Sequence, residues 1–189
     1  MYLVVVFLVA VLATHMTSGV WLNEGMNRKE FKFECPAHHT LSRVVSDHKN
    51  GRKNNEDRKF WVECAPVPRN IHVNSCEWSD FTYSRRNPLH YQCAKSGIIT
   101  GVYSEYDFTS KRYDRKFSFR CCTPSGGEVL HACETSSWTN EYDEHQSFKL
   151  PSGGYVMRGW TSVYNSKYFD RKYAFTYCKL GKVMDVTGL

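Results

Sequence analysis

Three arginines in this chain sit in the same short setting, each preceded by an aspartate and followed by a lysine and an aromatic residue. The strings are Asp57-Arg58-Lys59-Phe60, Asp114-Arg115-Lys116-Phe117 and Asp170-Arg171-Lys172-Tyr173. Two kinds of chemistry are open to such a set. The arginines can line a shared axial pocket and clasp an anion, or they can tie the scaffold together as paired, buried charges. Period-two alternation puts Arg58, Arg115 and Arg171 on the side of the aromatics, with each motif's aspartate and lysine pointing the other way. An arginine aimed at a core needs a carboxylate, carbonyls or an aromatic face to offset its desolvation. The expected role of Asp57, Arg58, Asp114, Arg115, Asp170 and Arg171 is therefore structural.

Other reactive residue types lack the spacing that chemistry requires. His38-His39 is adjacent and follows Cys35-Pro36; neighbouring histidines diverge on a strand, so the pair reads as an exposed turn and not as a metal site. Cys121-Cys122 is not the CxxC arrangement of a redox enzyme. Asn74-Ser75-Cys76 is at best an unusual glycosylation site. No nucleophile elbow, zinc-binding helix motif or phosphate loop occurs, so no catalytic activity, cofactor or metal is expected. Basic residues gather at Lys49, Arg52 and Lys53, at Arg85-Arg86 and at Lys111-Arg112, all in turn-forming stretches. They read as solvated faces, or more sharply as a site for a sulfated glycosaminoglycan. A formal charge of +6, with acidic and basic residues mixed, leans towards anionic surfaces. No nucleic acid is expected as a partner.

The elements that position these residues follow from the repeat. The motif aspartates lie 57 and 56 residues apart, the period of one supersecondary unit used three times. Each unit offers a short aromatic strand, a longer strand, a polar loop and the motif strand. In the first these are Phe31 to Cys35, Leu41 to Ser46 and Arg58 to Cys64; the second and third match at Leu89, Ile98 and Arg115 and at Ser147, Tyr155 and Arg171. Trp21, Trp78 and Trp138 head the units. No helical periodicity of useful length appears. The expected fold is all-β, with three repeats in a pseudo-threefold arrangement stapled by disulfides. The repeats span about 21–66, 76–122 and 133–180 within one domain of residues 20–189. Ahead of them, the apolar run Tyr2 to Ala13 has the length of a signal-peptide core, with a cut expected after Gly19. No other stretch approaches the length of a membrane span.

Eight cysteines in an exported chain suggest a complete disulfide framework. Equivalent positions should make equivalent bonds, which gives Cys35–Cys64 with Cys93–Cys121, and Cys76–Cys122 with Cys133–Cys178. In the third repeat Leu150 and Tyr177 replace both members of the first kind of bond. Adjacency leaves one alternative open: Cys121 and Cys122 could exchange partners.

These residues resemble a known family. The Asp-Arg-x-aromatic-x-aromatic strings ending near cysteine, the opening Asn-x-x-x-Phe-x-Phe-x-Cys-Pro from Asn27 to Pro36 and the doubled Cys121-Cys122 are similar to the repeated signature of the dermatopontin family. The resemblance runs from about Trp21 to Lys179. It implies a secreted, disulfide-bonded, non-enzymatic protein of extracellular matrix. It also implies roles in cell adhesion, in contact with proteoglycan, collagen or fibronectin, and in matrix assembly. Invertebrate relatives include haemagglutinins and blood-cell aggregation factors, and a cytotoxic relative occurs in cnidarians. The vertebrate matrix protein is acidic and carries a further disulfide in its last repeat. This chain is basic and lacks that bridge, which points towards the agglutinin-like members.

The function expected from the sequence is adhesion or agglutination through several weak contacts to cell-surface or matrix glycans, whose linkage gives avidity. Matrix assembly through sulfated glycosaminoglycan or proteoglycan held by the basic loops, with matrix proteins as further partners, is the second reading and a secreted cytotoxin the third. Neither the glycan nor the oligomeric state is legible.

Overall fold

In a computed structural model, residues 19–22, 28–49, 57–82, 86–107 and 114–182 are described. The apolar leader lies outside these residues. The regular structure of the described residues is all strand, apart from one 3-10 turn at Pro68–Asn70. The first repeat contributes β1 (Val20–Trp21), β2 (Phe31–Glu34), β3 (His39–Lys49) and β4 (Asp57–Pro66). The second contributes β5 (Val73–Trp78), β6 (Leu89–Gln92), β7 (Ile98–Asp107) and β8 (Asp114–Pro124). The third contributes β9 (Glu128–Thr135), β10 (Gln146–Lys149), β11 (Tyr155–Asn165) and β12 (Asp170–Lys182). No helix among the described residues is long and apolar enough to cross a membrane.

The strands form three four-stranded antiparallel sheets, ordered β1-β4-β3-β10, β5-β8-β7-β2 and β9-β12-β11-β6. At the centre of each is the long hairpin of one repeat. On one side lies that repeat's leading strand, and on the other lies a short strand donated by a neighbour. β2 joins the second hairpin, β6 the third and β10 the first, so the exchange closes into a ring. No repeat completes a sheet by itself. All three hairpins carry a bulge at the same place, between Leu41 and Arg43, Ile99 and Gly101, and Met157 and Gly159. Glycine is required at the last two, because a Cβ would lie 2.7 Å from the carbonyl of Phe33 and 2.8 Å from that of Tyr91 on the donated strands.

Alternation along the strands builds one aromatic core between the sheets. Phe60, Phe117 and Tyr173 lie three residues into the motif strands, and Val62, Phe119 and Phe175 follow two residues on. At the middle is Trp160, 1 % exposed, whose ring lies 4.9 Å from Phe175, 5.5 Å from Phe119 and 5.7 Å from Phe117, centroid to centroid. Gln146 is a fully buried polar residue at a position held by Phe31 and Leu89 in the other repeats. Its amide is satisfied: Nε2 donates to the Val44 carbonyl at 3.1 Å, and Oε1 accepts from Ser46 Oγ at 3.0 Å.

The disulfides join Cys35 to Cys64, Cys93 to Cys121, Cys76 to Cys122 and Cys133 to Cys178. The first two cross between sheets, because Cys35 and Cys93 follow donated strands while Cys64 and Cys121 lie in motif strands. At the third seam the same positions hold Leu150 and Tyr177. Their equivalence is set by backbone hydrogen bonds: Cys35, Cys93 and Leu150 donate to the bulge carbonyls of Thr100, Arg158 and Ser42 at 2.8, 3.0 and 2.8 Å. The seam between the last and first repeats thus has packing where the others have a covalent bond. Leu150→Cys with Tyr177→Cys is expected to stabilise the oxidised protein by about 2–4 kcal/mol over its reduced form. Denaturant unfolding with and without reductant of that single bond measures this. Equal stabilities would show that the third seam does not share the geometry of the other two.

Candidate functional site

The repeats meet in a ring of three buried ion pairs. Arg115 reaches back to Asp57, Arg171 to Asp114, and Arg58 closes the circle onto Asp170. Each contact is a two-pronged fork, with Nε and Nη2 donating to the two carboxylate oxygens at 2.6 Å and 2.6 Å for Arg58 and for Arg115, and at 2.8 Å and 2.7 Å for Arg171. The remaining donors are also placed alike. Nη1 approaches the hydroxyl of Ser46, Ser104 or Ser162, and Nη2 donates to the carbonyl of Glu144, Lys29 or Asn87. Burial opposes the charge of Arg58 and Arg171, but hydrogen bonding and attraction from Asp170 and Asp114 outweigh it and raise both guanidinium pKa values. A paired fork of this kind meets the requirement that a buried charge be neutralised and hydrogen-bonded.

The aspartates do not turn away from the core, as simple alternation implies. Asp57, Asp114 and Asp170 are 6 %, 7 % and 3 % exposed. They stand at the start of their strands, where a neighbouring repeat covers the side that would otherwise be solvent. The cavity among the six charged residues is about 20 Å³, room for about one water and far too small for a sulfate or a sugar.

Each carboxylate also accepts a backbone N–H from a left-handed turn in its own repeat. Arg28, Arg86 and Asp143 have φ of 63°, 65° and 65°, and their N–H groups donate to Asp57, Asp114 and Asp170 at 2.9, 3.3 and 2.8 Å. At two seams the side chain of this turn residue is a guanidinium over a tyrosine, Arg28 over Tyr106 at 5.2 Å and Arg86 over Tyr164 at 5.6 Å. At the third seam Asp143 replaces the arginine and His48 replaces the tyrosine. His48 Nδ1 lies 3.0 Å from Asp143 Oδ1, and Nε2 lies 3.9 Å from Asp170 Oδ1. Burial raises the carboxyl pKa of Asp143, with the charge of Asp170 adding to the rise against the pull of His48 and Arg58.

On the outer surface a second set of equivalent positions appears. Leu22, Thr82 and Thr139 donate to the carbonyls of Phe60, Phe117 and Tyr173 at 2.8, 2.7 and 2.8 Å. The residues just before them, Trp21, Phe81 and Trp138, are therefore counterparts. Trp21 and Trp138 are 37 % and 46 % exposed. Trp78, which the sequence spacing aligns with these two, lies three residues earlier, ends β5 and carries Lys32 Nζ over its ring at 4.7 Å. The motif lysines accompany this surface. Lys116 sits over Phe81 at 4.3 Å and Lys172 over Tyr142 at 4.9 Å. Lys59 and Lys49 line a groove of about 440 Å³ with Trp21, Asp47 and His48.

Of the basic residues singled out by the sequence, Lys49 is exposed at the end of β3 in this groove. Arg86 is turned inward, over Tyr164 and beside the ring, so its neighbourhood is structural. Arg52, Lys53, Arg85, Lys111 and Arg112 lie outside the described residues. The aromatic set escaped the sequence reading because Phe81 is not a tryptophan and stands three residues off the tryptophan spacing.

The family model described as Dermatopontin matches residues 26–183. The chain belongs to the dermatopontin family. The ring of ion pairs, the donated strands and the disulfides all lie within the matched region. Among curated relatives, the dermatopontin of Biomphalaria glabrata is 29 % identical over 149 residues, covering 79 % of this chain and 94 % of that one. The hemagglutinin/amebocyte aggregation factor of Limulus polyphemus is 30 % identical over 95 residues, about half of each chain, at 50 % and 52 %. No solved structure matches the chain.

Proposed function

We propose that this protein is exported and acts without catalysis, as an adhesion or agglutination protein that holds cell-surface or matrix glycans at several equivalent, weak sites. The observation that carries the reading is an aromatic at corresponding outer positions of the three repeats, exposed at Trp21 and Trp138 and half-buried at Phe81. A single exposed tryptophan is ordinary. Three aromatics at equivalent positions on one rigid scaffold make a multivalent surface, and a flat ring suits the apolar face of a pyranose. Linked weak contacts multiply into avidity when the partner surface presents many copies. Four disulfides fit an oxidising compartment. Similarity to a dermatopontin and to a hemagglutinin/amebocyte aggregation factor gives the reading its class.

Trp21→Ala with Trp138→Ala is expected to raise the minimum agglutinating concentration about tenfold, a loss of roughly 1.4 kcal/mol, with the melting temperature unchanged. An unchanged titre in the intact double variant would reject the aromatic sites. A second reading, binding of a sulfated polysaccharide, rests on Lys49 and Lys59 beside Trp21. The two separate by competition. A simple sugar reverses agglutination through glycan sites, whereas retention on heparin falls steeply with salt.

A further inference from the structure

We propose that the seam joining the third repeat to the first is a binding site for a divalent transition-metal ion, held by His48, Asp143 and Asp170. The three residues come from separate elements, His48 from β3, Asp143 from the turn before β10 and Asp170 from the start of β12. One donor atom from each lies within 4.8 Å of the others. Closing these donors onto an ion at about 2.0–2.2 Å takes small side-chain movements. The His48 side chain is 2 % exposed and that of Asp170 1 %, while Asp143 at 32 % leaves a side open to solvent for entry.

Comparison with the other two seams shows what the position calls for. There the same place is filled by a cation belonging to the chain, Arg28 at one seam and Arg86 at the other, each stacked on a tyrosine beside a forked Arg–Asp pair. Those seams hold two guanidinium groups for one carboxylate. The closing seam holds one guanidinium, Arg58, for two carboxylates, and a ring with nitrogen donors stands where the tyrosine would be. Arginine has become a ligand and tyrosine has become a ligand at paired positions, so the charge removed from the chain can be returned by an ion.

Asp170 keeps capacity for it. Oδ2 accepts from Arg58 Nη2 and from the Asp143 N–H, whereas Oδ1, the oxygen nearer His48, accepts from Arg58 Nε. A carboxylate oxygen has two lone pairs, which leaves one on Oδ1 towards the imidazole. One imidazole and two carboxylates suit Zn²⁺ and its transition-metal neighbours; Ca²⁺ asks for six to eight oxygens. The same seam lacks the inter-sheet disulfide that ties the other two. An ion here would clamp the first repeat to the last where no covalent bond does.

The test is thermal unfolding of the full chain, stripped with EDTA and then titrated with Zn²⁺. Binding at this seam is expected to raise the melting temperature by about 5–10 °C at a hundredfold excess over Kd. Asp143→Asn should weaken the apparent affinity at least tenfold. His48→Tyr with Asp143→Arg installs the side chains of the other seams, and should fold at or above the wild-type melting temperature while losing the response to Zn²⁺. Zinc bound elsewhere, for example at the exposed pair His38 and His72, whose ring nitrogens are 3.2 Å apart, would shift wild type and variants alike and overturn the proposal. So would a wild-type protein whose melting temperature does not move. Should the double variant fail to fold, Asp143→Asn and His48→Gln decide the question by the same comparison.

Discussion

Arg115→Ala is expected to lower the free energy of unfolding by about 3–5 kcal/mol, the usual cost of stripping one partner from a buried ion pair. The Asp57 side chain is 3 % exposed and would lose both prongs of the fork. It would retain the backbone N–H groups of Arg28 and Arg58 as donors, at 2.9 and 2.8 Å. The Arg115 side chain also covers Phe31 and Tyr106 at 5.2 and 5.7 Å, so packing goes with the charge. Arg115→Lys should recover only part of the loss, because an ammonium cannot make the planar fork. Lys49→Ala, at an exposed position, should stay within roughly 0.5 kcal/mol and serves as the control. Urea unfolding of the oxidised proteins gives these differences directly. A loss below about 1 kcal/mol for Arg115→Ala would mean that the fork is effectively solvated and that the ring is not what joins the repeats.

The second large effect is expected at the centre of the aromatic core. Trp160→Ala should cost about 3–5 kcal/mol, since it removes the largest buried side chain and leaves a cavity that a stapled scaffold cannot close. The instructive substitution is Trp160→Val. Val44 and Val102 hold the equivalent positions in the other hairpins, so repeat symmetry alone would call valine harmless or stabilising. The structure says otherwise, because the threefold axis has room for one large ring. Trp160 fills it and touches aromatics of all three repeats, with Phe60, Phe117 and Tyr173 at 6.3, 5.7 and 6.0 Å. Trp160→Val is expected to cost nearly as much as the alanine change, by the same unfolding measurement. A neutral result would show that the core repacks around the axis.

Both effects have one source. The sheets are assembled from exchanged strands, and the ion pairs run from each repeat to the one before it, so every sheet and every ion pair of the ring joins two repeats. Damage at a single position is shared by the whole ring. The closing seam is the exception in composition, with Leu150 and Tyr177 in place of a disulfide and with His48 and Asp143 in place of tyrosine and arginine. It is where the fold depends most on non-covalent contacts between the two ends of the chain.

The all-β class, the three repeats and the inward direction of Arg58, Arg115 and Arg171 were legible in the sequence. These are local properties: alternation at period two selects a strand and one of its faces, and a 57-residue recurrence needs only counting. The same alternation misplaced Asp57, Asp114 and Asp170, because it knows two faces of a strand and not the neighbour that covers the second. Trp78 was misaligned for a related reason, since residue type was counted where hydrogen-bond register decides. Nothing local could reveal that Arg115 pairs with Asp57 and not with the aspartate beside it, or that β10 completes the first sheet. Nor could spacing find His48, Asp143 and Asp170, which lie 95 and 27 residues apart along the chain. Such contacts are set when the ring closes. The geometry of closure, where every strand edge and buried charge must find a partner at once, is a property of the assembled sheets and of no single segment.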